Sequence, residues 1–81
     1  MSLERAAMRG KLAEAQDQRR RLRLKAEGLC VGIRAALNTA LTDVEEIEVA
    51  QAAQQMDELV AVQGELAALQ GQIARLEREL K

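Results

Sequence analysis

Residues 59–80 read LVAVQGELAALQGQIARLEREL, and their apolar positions decide the fold. Leu59, Val62, Leu66, Leu69, Ile73, Leu76 and Leu80 step 3-4-3-4-3-4. An average spacing of 3.5 keeps one narrow apolar stripe facing a partner helix, which is the seam of a coiled coil. The first half carries the same spacing in Met8, Leu12, Ala15, Arg19, Leu22, Ala26, Leu29, Ile33 and Ala36. The chain should therefore contain two seams, with Leu12, Leu22, Leu29 and Ile33 meeting Leu59 through Leu80.

Composition agrees with an all-helical chain. There is no Pro, and the sequence is rich in Ala, Leu, Glu, Gln and Arg, which are strong helix formers. The helical pattern weakens only at Leu37-Asn38-Thr39-Ala40-Leu41-Thr42-Asp43, where Asn, Thr and Asp compete for backbone hydrogen bonds. Thr42 and Glu45 have the spacing of a capping box, and the acids at 43–48 suit the positive end of a helix dipole. These signals predict helix one over about 4–38, a turn within 37–47 and helix two over about 44–80. A start near Glu48 is the alternative, with 44–47 as an extended connector. A short connection makes sequential helices antiparallel neighbours. The predicted fold is thus an all-α, antiparallel two-helix coiled-coil hairpin occupying residues 1–81 as one domain. One continuous helix in a long parallel coiled coil is the structural rival, against which the 38–43 interruption argues.

With a turn near Thr42, residues whose numbers sum to about 85 face each other. Arg5 and Arg9 would then meet Glu77 and Glu79. In helix two, Val49, Ala52, Met56 and Leu59 would continue the seam toward the turn. The steps on either side of Leu59 are then both three, a stammer that overwinds a coiled coil locally. Gly28 and Gly32 bracket a G-x-x-x-G spacing, which predicts a close helix crossing near the turn, with a kink as the alternative.

Eighty-one residues support only a marginal core, and such chains lean on metals, disulfides or oligomerisation. With no His and a single cysteine, Cys30, neither a metal nor an internal disulfide is expected. No aromatic residue is present to fill a core. Oligomerisation remains. Helix two offers a second face for it in Ala53, Val60, Gly64, Ala67, Gly71 and Ala74, where small residues would let another helix approach closely. A pair of hairpins would then form a four-helix or larger bundle.

The residues argue against catalysis. No His serves as a base near neutral pH. Cys30 lies beside the seam, where a thiol is a small hydrophobe rather than a nucleophile. Adjacent acids such as Glu45/Glu46 and Asp57/Glu58 diverge on a helix. We expect a non-enzyme without cofactor or small-molecule substrate. No apolar window spans a membrane and no leader pattern opens the sequence, so a cytoplasmic protein without a membrane partner is expected.

Charge is uneven. Residues 1–34 hold nine bases against four acids, and residues 35–81 hold three bases against nine acids. Arg19, Arg20, Arg21, Arg23 and Lys25 form the densest cationic run, a candidate contact for nucleic acid or another acidic partner. The plainer reading pairs it with Glu14, Asp17 and Glu27 or with acids of another subunit. The expected function is a structural or protein-interaction module. The alternatives are an auxiliary nucleic-acid-binding protein and a subunit lending one helix to a larger bundle.

Residues 45–60 and 73–80, with Arg21-Leu22-Arg23-Leu24-Lys25-Ala26-Glu27-Gly28-Leu29, resemble small uncharacterised helical proteins encoded in Mu-like prophages. The resemblance implies a phage-derived intracellular accessory protein and assigns no activity to any residue.

Overall fold

The computed structural model describes residues 2–81. Two helices, α1 (Leu3–Ala36) and α2 (Val49–Leu80), pack against each other, and the described residues contain no strand. Helix α1 starts where Ser2 accepts a hydrogen bond from the Arg5 amide at 3.2 Å, with Glu4 in the first turn. The hydroxyl satisfies an amide that lacks an intrahelical partner, and the acid complements the helix dipole. Helix α1 runs unbroken through Gly28 and Gly32.

The connection is two successive turns, each opened by a side chain that captures a nearby amide. Asn38 Oδ1 accepts from Ala40 N at 3.0 Å, and Asp43 Oδ1 accepts from Glu45 N at 2.9 Å. The Asp43 carbonyl also accepts from Glu46 N at 2.9 Å. Such Asx-turns give the backbone an alternative to the helix. They correct the expected boundary: Asp43 takes the amide that a Thr42–Glu45 capping box would have used differently, and α2 begins at Val49 rather than near 44. The first intrahelical bond runs from Ala52 N to the carbonyl of Glu48, which caps the helix without its side chain. The acids at 43–48 therefore precede α2 instead of lining its first turn.

The hairpin is a rod of 64 × 16 × 15 Å. Its open end is tied by Arg5, whose Nη2 donates to the Leu80 carbonyl at 2.8 Å. This contact corrects the expected pairing of Arg5 and Arg9 with Glu77 and Glu79. A terminal carbonyl of α2 has no partner within its own helix and carries negative dipole charge. Exposed side-chain ion pairs gain at most about 1 kcal/mol and fix little geometry. Among the described residues the ion pairs are those of Asp17 with Arg20 (3.3 Å) and Arg21 (3.1 Å).

Ala15, Leu69 and Ile73 form the buried centre of the seam, with Leu12 and Leu22 packed against them. Ala52, Val62 and Leu76 are also buried. Met8, Arg19, Ala26, Leu29, Ile33, Ala36, Leu59, Leu66 and Leu80 are half-buried along the same line.

The stammer expected at Leu59 is absent. Val49 and Met56 are exposed (58% and 53%), and Gln55 is half-buried in place of Met56. The α2 seam therefore runs Ala52, Gln55, Leu59, Val62, Leu66 in unbroken 3-4 steps. Space opposite Gln55 is provided by Gly32, where a Cβ would lie 2.6 Å from Gln55 Nε2. The close crossing belongs to Gly32 alone, since a Cβ at Gly28 would meet nothing within 4 Å. Replacing Gly28 by Ala should consequently stabilise the hairpin by up to about 1 kcal/mol through helix propensity, measured as a higher thermal midpoint.

Candidate interaction surfaces

Three surfaces remain after the seam is closed. The first is the basic run. Successive helix residues are about 100° apart, so five cations within seven positions cannot share one face. Arg19 is half-buried on the seam beside Leu66 and Gln70. Arg20 and Arg21 point to solvent and are held by Asp17. Arg23 and Lys25 are exposed and take part in no ion pair among the described residues. Arg23 lines the same groove as Arg19, with Ala26, Leu66 and Ala67. The five residues expected to act together are thus divided among three environments.

The second surface is the outer side of α2. Ala53, Val60, Gly64, Ala67, Gly71 and Ala74 are all exposed, and a Cβ at Gly64 or Gly71 would touch nothing within 4 Å. Nothing within the hairpin requires glycine at either position.

The third surface was not singled out from the sequence. Cys30, Ile33, Arg34, Met56 and Leu59 line an open groove on one flank of the seam, near the loop. Val49, Ala53, Met56 and Val60 follow at i, i+4, i+7 and i+11 and form one stripe on α2. The loop lies against the opposite flank, where Thr42 and Ile47 wall a cleft with Gly32, Ala36 and Gln51. Extending the 3-4 spacing backward from Leu59 would have placed Gln55 on the seam and freed Met56. Apolarity favoured Met56 instead.

Among the described residues no group of three or more His, Cys, Asp or Glu side chains is placed to hold a metal ion. No helix there is long and apolar enough to cross a membrane. The arrangement defines an all-α helical hairpin with uncovered apolar flanks. Comparison with protein-family models, curated proteins and solved structures gave no match.

Proposed function

We propose that this chain is a non-enzymatic structural or protein-interaction module that works by associating with further copies of itself. The observation that carries this reading is the surface the hairpin leaves in water, 6175 Å². A compact monomer of 8.9 kDa would expose about 4,800 Å² by the usual scaling of area with mass. The excess is roughly 1,400 Å², comparable with the total area of a modest stable interface. Large apolar side chains contribute to it, including Val60 at 69% and Leu41 at 85% exposure. A rod of two helices buries only one stripe of each helix, so a second hairpin is the economical way to cover the remainder. A four-helix or larger bundle satisfies that need. The resemblance to small prophage-encoded helical proteins fits an accessory role of this kind.

The test is mass in solution. Sedimentation equilibrium between low and high micromolar concentration should show a dimer or larger species, with a thermal midpoint that rises with concentration. A monomer throughout would overturn the reading. The alternative, nucleic-acid binding, rests on the exposed Arg23 and Lys25, supplemented by Arg20 and Arg21 if they leave Asp17. Retention of labelled DNA or RNA that weakens steeply with salt would favour it. We expect no retention at low salt.

A further inference from the structure

We propose that two hairpins pair antiparallel through the face of α2 opposite the seam, in the register that sets Asp57 of each copy against Arg78 of the other and Gly64 against Gly71. This rests on the self-association reading and specifies its surface, direction and register. Heptad position puts the face on three columns of residues. Asp57, Gly64, Gly71 and Arg78 stand farthest from the seam, with the columns of Val60 and Ala61 on either side. All of these residues are exposed. Between Asp57 and Arg75 the three columns hold one valine, two glycines and four alanines, and no charge. The corresponding columns of α1 carry Glu14, Asp17, Arg20, Arg21, Glu27 and Arg34. A helix face turned to water is ordinarily charged or polar, as that of α1 is. Glycine weakens a helix interior, and a Cβ at Gly64 or Gly71 would touch nothing in the hairpin. A second backbone approaching closely from outside uses both positions.

Small residues alone accept any neighbouring helix. Charge at the two ends of the face selects the direction and the register. Asp57 stands at the loop side, and Arg75 and Arg78 stand at the open end; all three are exposed and take part in no ion pair among the described residues. Asp57 and Arg78 are about 32 Å apart along one helix, so a hairpin does not pair them within itself. A parallel pairing in register would set Asp57 on Asp57 and Arg78 on Arg78, which costs affinity. In an antiparallel pairing, residues whose numbers share one sum face each other. The numbers of Asp57 and Arg78 add to 135, and so do those of Gly64 and Gly71. One register therefore closes the charge pair twice and brings the glycine backbones together twice, around a two-fold axis beside Ala67. Arg75 then lies next to the same Asp57, and no like charges of the face oppose each other. Sliding one copy by a heptad keeps small residues in contact but parts Asp57 from Arg78 by about 10 Å. Such an interface is isologous and closes on itself as a dimer.

Sedimentation equilibrium of charge-reversed variants tests this geometry. Asp57→Arg and Arg78→Asp should each weaken the dimer by about tenfold or more, since each places two like-charge contacts in the interface. An equimolar mixture of the two variants should recover the dimer, because the mixed pair restores both opposite-charge contacts. A role of either residue within its own hairpin would give no such recovery. Gly71→Leu should also weaken the dimer by about tenfold or more through a clash with the second backbone. Within the hairpin the same change is free of contact and favours the helix, so circular dichroism should show no loss of helicity. A monomer of the unaltered chain at high micromolar concentration would overturn both this inference and the self-association reading. A dimer indifferent to Gly71→Leu, or charge variants that dimerise as the parent does or fail to recover on mixing, would overturn only the geometry and leave self-association standing.

Discussion

Replacing Leu69 by Ala is expected to lower stability by about 2–4 kcal/mol, the usual cost of a deleted buried side chain plus the cavity it leaves. Leu69 is 7% exposed and sits in the one cluster, with Ala15 and Ile73, that is buried from both helices. No aromatic side chain stands nearby to collapse into the space. For a domain of this size the loss corresponds to a fall in thermal midpoint of about 10–25 °C. It also approaches the total stability that a small single core supplies. The variant should therefore be substantially unfolded at 37 °C, with loss of the helical circular dichroism signal. A midpoint within a few degrees of the parent would mean that the seam does not carry the fold. Leu24→Ala, on the exposed side of α1, is the matched control and should change little.

The second large effect has the opposite sign. Gln55→Leu is expected to stabilise the hairpin by about 1–2 kcal/mol, because a buried polar atom without a partner carries its full desolvation cost. Gln55 Oε1 is buried and accepts no hydrogen bond, and the amide rests on Gly32. Leucine would fill similar volume over that glycine without an orphan acceptor. Urea denaturation should show a higher midpoint at an unchanged slope, the mark of a stability change without a change in compactness. A lower midpoint would show that the amide gains more from its surroundings than the geometry gives it. A polar residue at a seam position also fixes register at a cost in stability. Gln55 opposite Gly32 is matched by Arg5 on Leu80 at the far end. The residue numbers of these pairs add to 87 and 85, so one alignment holds along the rod.

Much of this architecture is legible in the residues. The 3-4 spacing from Met8 to Ala36 and from Leu59 to Leu80 is a property of the chain alone. A stripe repeating every 3.5 residues has only one narrow face to hide. The exposure of Ala53, Val60, Gly64, Ala67, Gly71 and Ala74 follows from the same period. The start of α2 was less legible. Thr42 and Asp43 both carry capping chemistry, and only in the folded turn does the Asp43 side chain take the Glu45 amide. The basic run also reads as one feature in sequence. In space it divides, because a helix turns each successive side chain away from the last.

What the sequence determined by itself is that the chain forms two helices, each with a single apolar edge, because periodicity is local and needs no partner to be expressed. Tertiary structure alone decided what fills that edge. Gln55 entered the seam and Met56 left it because Gly32 stands opposite, and Arg5 turned to the Leu80 carbonyl rather than to Glu77 or Glu79. These choices depend on the space and the unpaired groups presented by a residue dozens of positions away. A one-dimensional pattern does not contain that information until the chain has doubled back.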